Sequence, residues 1–210
     1  MSKDIQINGY LRNDGRKGIR NIIAVTYLVE CAHHVAHEIA DPFRDKNVHL
    51  IGFGGCNPNE YAYKMMTQLC LHPNVGAVLI VALGCESFDQ VNLENAIRKS
   101  QRPVSTLIIQ ERRGTLPSIQ EGREWIEDAI KEITDTSRVR MGLDELVVGT
   151  TCGGSDATSG ITANPAIGKC FDLLIKHQAK TIFEESGELI GCEQIMADRA
   201  ATPGLAREIL

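Results

Sequence analysis

The sequence predicts an α/β protein built on a doubly wound, mostly parallel sheet with Rossmann-like βα alternation. Short runs rich in Val, Ile and Leu recur along the chain, and most are followed by a stretch with apolar residues at helical spacing. The cysteines add a third observation. Four of the seven stand in the first loop residues after such a run: Cys31 after 21–29, Cys56 after 48–53, Cys85 after 77–83 and Cys152 after 145–151. The carboxyl ends of parallel strands share one edge, where sites are normally built, so thiols distributed this way suggest soft-metal chemistry.

Strands are expected at 21–28, 49–53, 77–83, 104–110, 145–151 and 181–184, each nearly continuous in apolar residues, as strands buried on both faces are. Between them, 32–40, 59–71, 90–99, 117–133 and 165–177 read as amphipathic helices, which right-handed crossovers place on the sheet faces. The polar stretch 134–144 divides either two βα groups of one domain spanning 1–210 or two lobes. The last expected helix, 192–199, precedes Thr-Pro-Gly and a short run ending at Leu210, as in a fragment of a longer chain.

Composition narrows the function. The 210 residues are 43% hydrophobic and 23% charged, ordinary for a globular protein, and a net charge of −5 does not favour nucleic acid as a partner. No run approaches a membrane span and the N-terminus has no apolar signal core, so a cytoplasmic protein with reduced thiols is expected, with no membrane partner. Gly52-Phe53-Gly54-Gly55-Cys56-Asn57 follows a strand, but Asn57 replaces the third glycine of a dinucleotide fingerprint. P-loop and nucleophile-elbow motifs do not occur. A thiol-redox or dinucleotide-dependent oxidoreductase is the rival class, and it lacks both a standard thiol pair and a complete glycine fingerprint.

Three loops carry the chemistry. Residues 9–21 hold four cations, Arg12, Arg16, Lys17 and Arg20, and three glycines. Guanidinium forks grip carboxylates, so this segment suits an acidic ligand, or it is a basic turn pinning the chain to the sheet. Residues 149–165 form a long loop of small and polar residues, either wrapping a ligand or connecting two elements, before a helix expected to be capped by Asn164 with Pro165 in its first turn. Glu184, Glu185, Glu188 and Glu193 cluster after the last strand with Cys192 among them; such carboxylates serve as general base, as hard metal ligands or as helix N-terminal acids.

Together G-Y-L-R-N-D-G-R-K-G-I-R-N, L-G-C-E (83–86), C-G-G-S-D-A-T-S-G-I-T-A-N-P-A-I-G (152–168) and E-E-S-G-E-L-I-G-C-E strongly resemble the altronate and galactarate dehydratase family, over essentially the whole chain. Within it, residues 29–36 and 84–88 look nearest to the large subunit of sulfolactate sulfo-lyase. The resemblance implies an iron-dependent lyase that eliminates water from an altronate- or galactarate-type sugar acid to give a 2-keto-3-deoxy acid. One alternative is release of sulfite and pyruvate from 3-sulfolactate, and another is a non-catalytic scaffold half of a multi-subunit lyase. It further implies an oligomer, with the family's small N-terminal domain supplied as a separate subunit and its C-terminal half absent from this chain.

On that reading Cys31, Cys56, Cys85 and Cys152 are the expected ligands of iron, as Fe2+ or an iron-sulfur cluster. Arg12, Arg16 and Arg20 are expected to hold the substrate carboxylate, and Ser155, Asp156 and Thr158 its hydroxyls. Glu185 or Glu188 is the expected base. His33, beside His34 at the start of a helix, is a second catalytic candidate or a surface residue.

Overall fold

The computed structural model describes residues 5–154 and 156–210, apart from the side chain of Ser186. Its elements, in chain order, are β1 (Gln6–Leu11), β2 (Lys17–Gly18), β3 (Ile22–Tyr27), α1 (Glu30–Ala40), β4 (Val48–Gly52), α2 (Glu60–Cys70), β5 (Val75–Ala82), α3 (Gln90–Lys99), β6 (Val104–Ile108), α4 (Thr115–Thr134), β7 (Arg138–Gly142), β8 (Val147–Thr150), α5 (Asn164–Lys176), β9 (Lys180–Phe183), α6 (Glu193–Asp198) and α7 (Pro203–Ile209). The chain divides into two compact bodies, Asn8–Arg140 and Met141–Leu210, the second also including residues 5–7.

In the first body, four parallel strands lie in the order β4-β3-β5-β6. Side-chain alternation along β3 and β5 splits the core into two layers. Ile23, Val25, Ala77, Leu79 and Val81 pack with α1 and α4 on one face. Ala24, Val78, Ile80 and Ala82 pack with Met66, Cys70, Leu93 and Ile97 of α2 and α3 on the other. All eight residues of β5 are buried, as a strand between two helical layers must be. Since the chain leaves β3 for β4 on one side and β5 for β6 on the other, the loops after β3 and β5 diverge. A crevice is expected at such a switch point.

Asparagine and aspartate side chains start two of these helices. Asn59 accepts the amide of Ala62 at 2.8 Å and Asp89 that of Asn92 at 2.9 Å. At the amino edge of the sheet, β1 and β2 form a hairpin with Tyr10 opposite Gly18. The sequence reads this segment only as a loop, and β7 only as part of a polar divider. Neither strand carries a continuous apolar run, since both are partly exposed.

In the second body, β8 and β9 pair in parallel, from Val147 opposite Lys180 to Thr150 opposite Phe183. The six expected strands and six expected helices are all present, but the strands form two sheets where one was expected. Helix α7, which the sequence left as a short run, starts with Thr202 accepting the Leu205 amide at 3.2 Å. Among the described residues, no helix is long and apolar enough to cross a membrane.

The hairpin depends on close backbone approach at Gly18, where a β-carbon would come within 2.1 Å of the Pro73 carbonyl oxygen. Because that obstacle is backbone, Gly18→Ala is expected to lower stability by about 1–3 kcal/mol, read by urea unfolding. An unchanged midpoint would show that the hairpin does not rest on this contact.

Candidate functional site

The carboxyl edge of the four-stranded sheet carries three of the expected thiols, Cys31, Cys56 and Cys85, all exposed. The Ser87 amide donates to the Cys56 carbonyl at 3.0 Å, and the Ser87 hydroxyl to Asn57 Oδ1 at 2.7 Å, which ties the loops after β4 and β5 together. Glu86 folds back so that its carboxylate accepts the amides of Leu83 at 3.0 Å and Gly84 at 2.7 Å. Gly84 has φ +115°, a backbone setting that glycine adopts without strain. His33 on α1 stands edge-on to the Tyr27 ring, with centroids 5.0 Å apart, and His34 is exposed. The fourth thiol, Cys152, belongs to the second body.

The basic loop performs the pinning role that the sequence left open. Arg12 is buried and donates from Nε to the Pro73 carbonyl at 2.6 Å and from Nη2 to the Arg20 carbonyl at 3.2 Å. Arg16 spans Asp14, with Nε at 2.9 Å and Nη2 at 2.7 Å from Oδ2, and also donates to the Leu71 carbonyl at 2.8 Å. These bonds hold the Asp14 carboxyl below its usual range. Arg20 is exposed, and its amide donates to Asn74 Oδ1 at 3.2 Å.

The second body gathers a different set of donors. One donor atom each from Cys152, Glu185 and Glu188 lies within 4.8 Å of the others, the one such group of three or more metal-ligating side chains among the described residues. Cys152 follows β8; Glu185 and Glu188 follow β9, its parallel neighbour, so the strand pairing itself brings the two loops together. The Cys152 amide donates to Glu185 Oε2 at 3.3 Å, and the Glu188 amide to the Glu185 carbonyl at 2.8 Å. Glu185 takes a left-handed backbone conformation, φ +64°, unusual for a residue with a β-carbon and the kind of strain that accumulates at functional sites. The group borders a cavity of about 480 Å3 whose wall includes Gly153, Gly154, Ser159, Asn164 and Phe183. That volume is in the range of small-molecule sites.

Asp156 and Thr158 sit in the long loop and bind each other. The Asp156 carboxylate accepts the Thr158 hydroxyl and amide, both at 2.7 Å, and the Ser159 amide at 3.0 Å. The Thr158 hydroxyl is the main reason its carboxyl titrates below the usual value. Ser155 lies outside the described residues. Asn164 does not cap the helix. Its backbone is helical, φ −64° and ψ −44°, because a π-type turn at Ser159–Ala163 precedes α5 and starts from the Asp156 turn. Pro165 has no amide hydrogen to give the turn before it, and a widened turn accommodates that loss. Ser159 and Asn164, which line the cavity, were not among the site residues expected from sequence, where Ser159 resembles any loop serine and Asn164 reads as a helix cap.

Fold and site thus define an α/β protein with a mixed thiol and carboxylate cluster able to hold a divalent metal. Residues 9–134 match the D-galactarate dehydratase/altronate hydrolase second-domain family, and residues 143–210 match the D-galactarate/altronate dehydratase C-terminal family. The chain belongs to the galactarate dehydratase/altronate hydrolase family. It is 27% identical over 215 residues to an altronate dehydratase of Bacillus subtilis, covering 96% of this chain and 43% of the relative. It is 30% identical over 216 residues to the altronate dehydratase of Escherichia coli, covering 94% and 42%. It is 29% identical over 197 residues to a (2R)-sulfolactate sulfo-lyase subunit beta of Chromohalobacter salexigens, covering 92% and 50%. The chain therefore spans about half the length of the curated relatives it matches.

Two outcomes are expected of this geometry. Asp156 has a depressed folded pKa against an ordinary value near 3.8, so its contribution is complete above that value and is lost as pH falls through the folded pKa. Protection of the Thr158 and Ser159 amides from exchange, taken relative to their intrinsic rates at the same pH, is therefore expected to fall in Asp156→Ala at neutral pH, and in the parent as pH drops through the folded pKa. Equal exchange in both proteins at neutral pH would remove the carboxylate from this role. Cys70 is buried and its thiol is pushed up to about 11. Iodoacetamide at pH 8 is expected to label Cys31, Cys56 and Cys85 and spare Cys70, read by peptide mass spectrometry.

Proposed function

We propose that this chain supplies the metal-binding portion of a lyase that removes water from an altronate- or galactarate-type sugar acid, giving a 2-keto-3-deoxy acid. The observation that carries this reading is the grouping of Cys152, Glu185 and Glu188 on one cavity in a chain of this family. Iron is the proposed cofactor, and these three residues would hold it. One thiolate with two carboxylates suits a mononuclear divalent ion, whereas an iron-sulfur cluster takes four thiolates. When bound, iron supplies a Lewis acid for the charge that develops on the substrate carboxylate.

A proton next to a carboxylate is weakly acidic, so its removal needs both a placed base and a stabilised enediolate. Glu188, three residues after Glu185 and bordering the same cavity, is the proposed base for that proton, through the carboxylate oxygen that the metal would leave free. Glu185, held by the Cys152 amide, is the proposed fixed anchor of the group. As the α C–H bond breaks, its electrons form the C–C double bond and the β hydroxyl leaves as water after taking up a proton. The enol then tautomerises to the keto acid. Asp156 and Thr158 stiffen the loop that walls the cavity, and Gly153 and Gly154 let the backbone approach a ligand closely.

The sulfo-lyase reading stays beside this one because a relative of similar identity is named as subunit beta of such an enzyme. On either reading a small-molecule acid is the substrate, and a small subunit carrying the family's N-terminal domain is the proposed partner.

Anaerobic reconstitution with Fe2+ followed by elemental analysis tests the centre directly. Cys152→Ser and Glu185→Gln are expected to lower bound iron at least tenfold, while Cys31→Ser, Cys56→Ser and Cys85→Ser retain it. Loss of iron in the latter three would move the centre to the carboxyl edge of the four-stranded sheet. Turnover of altronate, galactarate and 3-sulfolactate, assayed with the partner subunit present, separates hydro-lyase from sulfo-lyase.

A further inference from the structure

At the amino edge of the four-stranded sheet, opposite the thiols, two arginines are buried side by side in charge but not in partnership. Arg12, in the basic loop, and Arg102, in the turn before β6, are each only 7% exposed. Arg12 meets two carbonyls, as described. Arg102 is short of acceptors: Nη1 donates to Ser100 Oγ at 3.3 Å, while Nε and Nη2 are buried with no hydrogen-bond partner. Buried polar groups are nearly always satisfied, and an unpaired buried charge is the costlier exception.

The charges nearby do not balance. Arg12, Arg16 and His72 all act on or with Arg102, and the carboxylate among these groups, Asp14, is already spanned by Arg16. Burial and the neighbouring Arg102 charge push the Arg12 guanidinium down to about 10, which marks the pair as mutually repelling. Both arginines line a cavity of about 360 Å3 with Gly76, Ser100, Thr136 and Ser137. Glu132 and Asp135 stand on its wall, exposed, and neither forms an ion pair with Arg102. Beyond this cavity, Arg20, Lys46 and Arg138 line a second hollow on the same edge with no carboxylate in its wall.

We propose that Arg12 and Arg102, with the turn from Ser100 to Pro103, form a binding site for a small oxyanion, a phosphate or carboxylate group, at the amino edge of the sheet. A guanidinium fork is shaped for two parallel bonds to such a group. Among the described residues the long bond to Ser100 is the one side-chain tie on the Arg102 fork, so turning Nε and Nη2 toward an anion breaks no ion pair. A bound oxyanion supplies both the missing acceptors and the missing negative charge. The site is built entirely within the first body and shares no residue with the proposed metal centre of Cys152, Glu185 and Glu188.

Thermal unfolding of the chain, with chelator present, is followed against sodium phosphate, sodium malonate and sodium chloride at matched ionic strength. A saturable rise in Tm with phosphate, malonate or both, absent with chloride, is the expected result, and the anion that acts identifies the group recognised. Phosphate also stabilises proteins weakly by exclusion, an effect that grows without saturating. Arg102→Met is expected to weaken the saturable binding at least tenfold, because it removes the fork while keeping an unbranched stem. Should that variant fail to fold, Arg102→Lys keeps the charge and the stem but removes the fork, and the same loss of saturable binding is expected. Absence of any saturable rise in the parent, or a rise unchanged in a folded variant, would overturn the proposal.

Discussion

Two-sided burial of the central strands is the constraint on which the first body rests. β3 and β5 lie between α1 and α4 on one face and α2 and α3 on the other, so successive residues report to different layers of core. Fully burying a valine, leucine or isoleucine side chain contributes about 1.5–3 kcal/mol, and the eight buried residues of β5 collect much of the driving force in one strand. β5 carries no polar side chain along its length, and β3 carries one at its buried positions, Thr26, whose hydroxyl meets the Cys70 thiol at 3.6 Å. Other polar and reactive groups are displaced to the strand ends, and the chemistry of this body is accordingly found at the sheet edges.

The two edges differ in kind. At the carboxyl edge, the first turn of α1 exposes Cys31, not the loop expected from sequence, while loops expose Cys56 and Cys85 and are braced by Glu86 on the amides of Leu83 and Gly84. At the amino edge, the hairpin is anchored through Arg12 on Pro73 and Arg16 on Leu71, a design that brings positive charge under the sheet. Anchoring a guanidinium on backbone carbonyls satisfies its donors but leaves its charge uncancelled. Arg102 adds a second such charge with even fewer acceptors. The amino edge therefore holds its hairpin in place at the cost of local electrostatic imbalance, and an anion is the simplest compensation.

In the second body, local strain and short pairing cooperate. The β8–β9 register sets the loop containing Cys152 beside the loop containing Glu185, whose left-handed backbone is held by its own bonds to neighbours on both loops. The Asp156 turn starts a helix whose first turn is widened ahead of Pro165. Both devices stiffen loops that would otherwise be mobile, which is what a ligand site made of small residues requires. Membership of the galactarate dehydratase/altronate hydrolase family gives these loops a chemical context, since its named relatives are dehydratases and a sulfo-lyase subunit.

The alternation of buried strands and amphipathic helices could be read from the chain alone, because periodicity is a local property of neighbouring residues. The same reading recognised the family from its long loop motifs and marked Cys152 in one loop and Glu185 with Glu188 in another. It missed β1, β2 and β7, whose half-exposed faces carry no apolar run, and it gave Asn164 a cap that the Asp156 turn supplies instead. Grouping across separate loops was invisible to it. That Cys152 shares a cavity with Glu185 and Glu188, or that an arginine in an ordinary Ser-Gln-Arg-Pro turn lies buried beside Arg12, depends on strand pairing and packing between residues distant in sequence. By itself, then, the sequence determined the type and order of most elements through their local periodicity. Tertiary structure alone decided which side chains meet and which charges lose their water, because burial is a property of the assembled layers.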